Sequence, residues 1–300
     1  MRRIFNYLTL PLVSLILSCG LKSSPLPPLS DRPTPVYGLN VKQQGDRFVI
    51  YWRYDGVYED GRKMGKFHFD VFTLDGKINR KVERYGKIYW TYYRIKSFDR
   101  EYCFKIRVFN GKKYSKFSRY VCKYPEKIFP DRIYDLKIQM KEGSLTLTWF
   151  SEENRFKIYR SNSEIIPPVE YAELKNKNSF TDTKLIYGKK YCYYVTAYNG
   201  KVEGNPSETV CMLYRDIFPP DPPKNPEIIK KGEDYIIIWT ESSSKDVAGY
   251  LIYKNGKPLL KTPVKTYFFI DKSFKKGDKY EIIAVDKAGN RSKPVYLITE

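Results

Sequence analysis

The chain has 300 residues, with 54 Lys and Arg against 34 Asp and Glu, a formal net charge of +20 and a single histidine. Its 28 Tyr and 17 Phe exclude general disorder and fit a folded chain of two or three domains. Short runs of Tyr, Phe, Val, Ile and Thr are punctuated by Gly, Pro, Asn and Asp, and no long stretch carries a helical apolar period. The fold class read from this pattern is all-β.

Met1-Arg2-Arg3 is a short basic opening, and Ile4 to Leu17 is mostly apolar but short for a permanent span. The run ends in Ile16-Leu17-Ser18-Cys19-Gly20, which resembles the lipobox of bacterial lipoproteins. That resemblance implies a signal peptide over 1–18, cleavage before Cys19, and acylation of its thiol and new amine. Multiple acyl chains make such an anchor stable. Gly20 in place of Asp implies, by the sorting rule of enteric bacteria, release to the outer membrane facing the periplasm. Residues 19–35 hold Pro25, Pro27, Pro28, Pro33 and Pro35, an extended and semi-stiff tether. The stretch Cys19 to Pro28 also resembles the start of a small lipoprotein that assists assembly of the lipopolysaccharide translocon, though it lacks that family's Lys-Gly-Pro.

Beyond the tether one pattern occurs three times. Three strands end in tryptophan: Phe48 to Trp52, Leu145 to Trp149 and Tyr235 to Trp239. Each is followed by a second strand (Phe67 to Phe72, Phe156 to Tyr159, Tyr250 to Tyr253), then by Ile88-Tyr-Trp-Thr, Ser179-Phe-Thr-Asp182 and Tyr267-Phe-Phe-Ile-Asp271. The order resembles the fibronectin type III domain, a seven-stranded sandwich of two sheets. It is nearest in the third copy, through Asp246-Val-Ala-Gly-Tyr250 and Ala284-Val-Asp-Lys-Ala-Gly-Asn290. The domains expected are 36–126, 127–216 and 217–300. Ile128-Phe129-Pro130-Asp131 and Ile217-Phe218-Pro219-Pro220 open the second and third, and their prolines predict a semi-rigid rod of three units.

Four of the five cysteines form two equally spaced pairs. Cys103 and Cys122 are centred near Lys112, and Cys192 and Cys211 near Lys201, each pair with an Asn-Gly-Lys at its midpoint. Equal distances from a hairpin turn put the partners at opposed positions, close enough to bridge, and export makes oxidation plausible. The alternative is two pairs of buried thiols.

Catalytic and metal chemistry are thin. His68 alone cannot build a zinc site once the four cysteines are paired, and it reads as a solvent-facing strand position. No phosphate loop, EF-hand loop or nucleophile elbow occurs. Asp246 and Asp286 sit in turn phrases where their carboxylates bond local amides in preference to calcium. No cofactor and no enzymatic activity are expected.

Charge is the quantity out of the ordinary. Residues 36–126 hold 21 Lys and Arg against 10 Asp and Glu, +11, whereas 127–216 give 14 against 12, +2, and 217–300 give 15 against 11, +4. In the first domain, Lys87, Arg94 and Lys96 flank Tyr89, Trp90 and Tyr92, and Lys112, Lys113, Lys116 and Arg119 flank Tyr114 and Phe117. Such a surface attracts lipid head groups, lipopolysaccharide phosphates or peptidoglycan carboxylates. The competing reading is an edge or half-buried strand whose aromatics fill the core and whose lysines block edge pairing. A lipid-anchored exported chain has no nucleic acid to meet. The function expected is a non-catalytic, lipid-anchored binding or scaffold module of the cell envelope with a protein partner for its distal domains. The alternatives are a carbohydrate-binding accessory module and an assembly factor for an outer-membrane translocon.

Overall fold

The computed structural model describes residues 29–299, so the leader, Cys19 and the tether up to Pro28 lie outside the described residues. Every regular element described is a strand. The first unit contains β1 (Tyr37–Gln44), β2 (Arg47–Arg53), β3 (His68–Thr73), β4 (Gly76–Lys77), β5 (Glu83–Tyr85), β6 (Ile88–Arg94), β7 (Tyr102–Phe109) and β8 (Val121–Lys123). The second contains β9 (Tyr134–Lys141), β10 (Ser144–Phe150), β11 (Arg155–Ser161), β12 (Ala172–Lys175), β13 (Ser179–Asp182), β14 (Lys189–Ala197) and β15 (Val210–Tyr214). The third contains β16 (Lys224–Lys231), β17 (Asp234–Thr240), β18 (Val247–Lys254), β19 (Lys257–Pro258), β20 (Phe268–Asp271), β21 (Lys279–Asp286) and β22 (Val295–Ile298).

In each unit these strands form two antiparallel sheets. The orders are β1-β2-β6-β5 with β4-β3-β7-β8, then β13-β10-β9 with β12-β11-β14-β15, then β16-β17-β20 with β19-β18-β21-β22. The chain thus makes two strands of one sheet, crosses to the other, returns for one strand (two, β5 and β6, in the first unit), and ends with a hairpin on the far side. This is the fibronectin type III-like order, and the fold is three tandem all-β sandwiches. We call the sheet holding the tryptophan the front sheet and its partner the back sheet.

The period of two in the front strands puts the tryptophan inside each time. Trp52 meets Phe69 edge-on at 5.1 Å, Trp149 meets Phe156 at 5.2 Å, and Trp239 meets Tyr250 at 5.3 Å. Such edge-to-face pairs add about 0.5–1.5 kcal/mol to what burial alone provides. Three separate apolar cores gather around them. In the first two units the first strand of the last hairpin carries near its start a tyrosine that ties down the preceding loop. Tyr102 OH accepts the Lys96 and Ser97 amides, and Tyr191 OH accepts that of Ile186 at 2.8 Å.

The last hairpin carries the paired cysteines in opposed register, Cys103 with Cys122 and Cys192 with Cys211, at Cα separations of 3.9 and 4.0 Å. The sulfurs are bonded in both pairs. Both bridges lie on the outer face of the back sheet, away from the Trp-centred cores. Closing a loop of this length restricts the unfolded chain by about 3 kcal/mol. At the equivalent place the third unit pairs Glu281 with Tyr296, so the sandwich forms there without a bridge.

A second repeated device fixes how the chain meets each unit. The asparagine of the last turn donates from Nδ2 to the incoming segment: Asn110 to Asp31 O at 2.9 Å, Asn199 to Ile128 O at 3.5 Å, and Asn290 to Asp216 O at 3.3 Å. Oδ1 of Asn110 and Asn199 caps the turn itself, accepting the amides two and three residues on. The described end of the tether is therefore laid on the first unit. The Ser30 amide donates to Asp60, and that of Thr34 to Val57 O.

The third unit is stabilised by a buried carboxylate. Asp271 accepts from Lys254 Nζ at 2.7 Å, Tyr280 OH at 2.6 Å and the Ser273 amide at 2.8 Å. Burial alone would raise its pKa, but these donors outweigh it and hold the carboxyl well below the usual range. Since the folded pKa lies below the unfolded one, the contribution is complete above about pH 4 and is lost as the pH falls through the folded value. Hydrogen-exchange protection of β17 and β21 is expected to weaken below that pH, and Asp271→Asn to flatten the decline. An acid limb that the substitution leaves unchanged would locate the effect elsewhere.

Candidate functional site

The two sheet faces of the first unit have different fates. The outer face of its front sheet carries Val49, Tyr51, Trp90 and Tyr92, paired across β2 and β6 as Val49–Tyr92 and Tyr51–Trp90. Val49 is 0% and Trp90 2% exposed, although neither belongs to the first core. They are covered by the outer face of the second unit's back sheet. Arg47, Trp90 and Tyr92 line a cleft with Ile165, Ile166 and Tyr194, and Tyr51, Arg53 and Ile88 line another with Glu170 and Tyr198. The second unit lies along the first. This corrects the expected rod at its first junction.

Glu203 stands at the centre of that contact. Its carboxylate, 5% exposed, accepts from Gln44 Nε2 at 2.8 Å, Tyr159 OH at 2.8 and 2.9 Å, and Thr196 Oγ1 at 3.0 Å, with Lys42 Nζ at 3.4 Å. The backbone joins in, since the Gly45 amide donates to Glu203 O at 2.8 Å. Gly45 has φ +60° and abuts Asn205, whose Cγ would lie 2.2 Å from a Cβ at this position, so a side chain here would be strained and would have to displace Asn205. Tyr159 stacks on Tyr194 at 4.4 Å, and burial with the nearby carboxylate pushes its hydroxyl far above the ordinary range. It therefore stays a donor. Burial brings the Lys42 ammonium down to about 8, partly opposed by Glu203. The linker closes the edge: Gln43 exchanges hydrogen bonds with the Glu126 backbone at 2.8 and 2.9 Å, and Phe98 stacks on Phe129.

The seven basic residues expected to form one surface are divided by this fold. Lys87, Lys112 and Lys113 lie at the pole where the tether meets the first unit, in the turns opening β6 and following β7. The long loop after β2 adds exposed Lys63 and Lys66 to the same pole; its length was visible in the sequence, its position was not. Arg94 and Lys96 sit at the opposite pole, where Arg94 faces Asp46 at 3.5 Å. Lys116 and Arg119 lie on the flank, where the chain returns beside β7. Tyr89 and Trp90 are buried and Tyr92 is half-buried, so the aromatics of β6 belong to the core and the interdomain contact.

The back sheet of the first unit keeps its outer face open. Arg107 lies over Tyr114 at 3.7 Å and over Phe117 at 5.1 Å, and Lys105 lies over Phe117 and Tyr120 at 4.3 and 4.8 Å. Cation–π contacts thus occupy ring faces on this side. Asp70 is buried beneath, held by Lys77 at 2.5 Å and Arg107 at 3.3 Å, with exposed His68 3.6 Å away. Burial would raise its pKa, yet these cations hold it below the usual range.

Two clusters have metal-like composition. Glu101, Cys103 and Cys122 lie together, but the sulfurs are bonded to each other and offer no thiolate. Asp216, Asp246 and Asp286 converge at the second junction. Asp286 already accepts the Ala288 and Asn290 amides at 2.9 and 2.8 Å and Asn290 Nδ2 at 2.8 Å, the local bonding expected of a turn aspartate.

No protein-family model matches the chain. Among solved structures it is similar to the FN1–FN3 domains of chicken CNTN1, at 17% identity over 89% of this chain and 100% of that one, with a TM-score of 0.28. It is also similar to a two-domain fibronectin type III segment of chicken tenascin, at 19% identity over 56% of this chain and 98% of that one, with a TM-score of 0.36. The fold assignment rests on the strand order of each sandwich.

Truncating one partner of a buried, hydrogen-bonded charge leaves the others unpaired, at a cost of about 3–5 kcal/mol. Glu203→Ala is therefore expected to release the first unit from the second while both cores stay folded. The readout is hydrogen exchange, with protection lost selectively at the Gly45 amide, together with a rise in the radius of gyration in X-ray scattering. Unchanged protection and radius would show that the apolar contact alone holds the pair.

Proposed function

We propose that the chain is a non-catalytic, lipid-anchored binding module of the bacterial cell envelope, with Cys19 as the acylated residue and the outer membrane as its attachment. On this reading the tether-side pole of the first unit touches the anionic envelope surface, and the distal unit is left for a protein partner. The observation that carries it is the gathering of exposed Lys63, Lys66, Lys87, Lys112 and Lys113 at the pole where the tether arrives. Of these, Lys87 faces Asp55 at 2.6 Å; an exposed pair of this kind contributes little and is easily exchanged for another anion. The ligand chemistry is a phosphate or carboxylate array, as on lipid head groups, lipopolysaccharide or peptidoglycan.

The carbohydrate-binding alternative loses the rings of β6, where Tyr89 and Trp90 are buried and Tyr92 is half-buried, and keeps the exposed Tyr114, Phe117 and Tyr120 of the back sheet, each with Arg107 or Lys105 over one ring face. The translocon-assembly alternative rests on Cys19 to Pro28, which lie outside the described residues.

The surface contact is separable from the anchor. An exported chain carrying Cys19→Ser behind an ordinary cleavable leader is expected to bind anionic vesicles, lipopolysaccharide or peptidoglycan at low salt. Binding should fade as the ionic strength approaches about 0.15 M, where the screening length is about 8 Å. Lys63→Glu with Lys112→Glu and Lys113→Glu should abolish it. Failure to bind any of the three surfaces at low salt removes the contact reading. Mass spectrometry of the natural N-terminal fragment tests the anchor independently.

A further inference from the structure

Three copies of one sheet face can be compared position by position, because the tryptophan fixes the register. Two positions on the second strand, with their partners across the sheet, form the outer face of each front sheet. They are Val49, Tyr51, Tyr92 and Trp90 in the first unit, and Thr146, Thr148, Thr181 and Ser179 in the second. In the third they are Ile236, Ile238, Ile270 and Phe268.

The chemistry of the first two follows their surroundings. The apolar face of the first unit is covered by the second unit. The face of the second unit is open and made of hydroxyls, two of which, Thr146 and Thr181, lie 3.3 Å apart and bond each other. The third face breaks the correlation, for it is apolar and open. Phe268 is 47% exposed and Ile270 41%, and Ile229 beside Ile236 on β16 is 45% exposed. A contiguous apolar sheet face of this kind marks an interaction surface.

We infer that this face of the third unit is an interface between two copies of the chain, the two front sheets stacked face to face. An apolar sheet face of this kind packs on another sheet about 10 Å away. It is also self-complementary in charge. On β16 the exposed residues in step with Ile229 are Glu227 on one side and Lys231 on the other. A two-fold axis lying between the sheets and crossing β16 at Ile229 sets Glu227 of each copy against Lys231 of the other. It also buries both sets of isoleucine and phenylalanine side chains. Closed two-fold pairs of this kind are the commonest assembly of identical chains.

The test uses the full chain, solubilised in detergent and followed by sedimentation equilibrium with the detergent density-matched. Two chains per particle are expected. Phe268→Ser with Ile270→Thr, which gives the third face the chemistry of the second unit, should reduce this to one. Glu227→Lys alone should weaken the pair, and Glu227→Lys with Lys231→Glu should restore it, an outcome that a general loss of folding cannot imitate. In intact cells, Ile229→Cys should link two copies, while Gln139→Cys at the equivalent place in the second unit should not. A wild-type chain that sediments as a monomer overturns the inference. So does a dimer indifferent to these substitutions, or binding of the face to lipid vesicles with no dimer.

Discussion

A carboxylate is held between two sandwiches, and the surfaces of the first two units depend on it. Taking Glu203 out of water costs several kcal/mol unless its oxygens are fully used, and they are used by groups from both units: Gln44 and Lys42 on one side, Tyr159 and Thr196 on the other. Apolar stacking of Val49, Trp90 and Tyr92 would tolerate small slides of one sheet over the other. The Glu203 hydrogen bonds, with the backbone bond from Gly45, fix one position. Two units docked in this way present one pair of outer faces instead of two. The free back sheet of the first unit and the free front sheet of the second are what remain.

Much of this was legible as repetition. The three tryptophans, the two equally spaced cysteine pairs and the aromatic strands facing them defined the sandwiches, because a period of two dictates which side chains share a face. The docking was not read, although its signal was in the strands. Leu145-Thr-Leu-Thr-Trp149 alternates, as a strand with one wet face must. Phe48-Val-Ile-Tyr-Trp52 and Tyr235-Ile-Ile-Ile-Trp239 do not. An unbroken apolar run in an antiparallel sheet is the pattern of a strand with two apolar faces, of which the second is covered by the neighbouring unit in the first case and open in the third. The aromatics of β6 allowed two readings: counted as a cluster beside lysines they resemble a surface, while counted by alternation they divide between the core and a second buried face, which is the half-buried strand of the competing reading.

The polar part of the contact was beyond sequence reasoning. Glu203 stands in a turn phrase, Lys201-Val-Glu-Gly-Asn205, of the kind that fills any exposed loop. Only the return of the chain, fixed by Gln43 gripping Glu126, brings it and its neighbour Tyr159 under Gln44. The prolines of the linkers stiffen each junction without setting its angle. At the second junction the Asn290–Asp216 bonds attach linker to turn, the same attachment seen at the tether and at the first junction. The angle in the first case comes from the sheet faces, and sequence runs of Pro carry no information about those.

The tether-side pole and the proposed anchor can be weighed against each other by length. Ten steps of chain separate Cys19 from Leu29, and ten steps span at most about 35 Å when extended. Electrostatic attraction to a charged surface fades over about 8–10 Å at ordinary ionic strength. On the proposed lipidation of Cys19, a fully extended segment of this length would put the lysines of the first unit beyond the field of the lipid head groups, and the proposed contact requires less than that full extension. Asn110 clamps Asp31, so on the proposed anchoring the pole would reach only a surface within the span of those ten steps. Attraction would then act on a tethered molecule, for which a modest affinity is enough because a short linker sets the effective concentration.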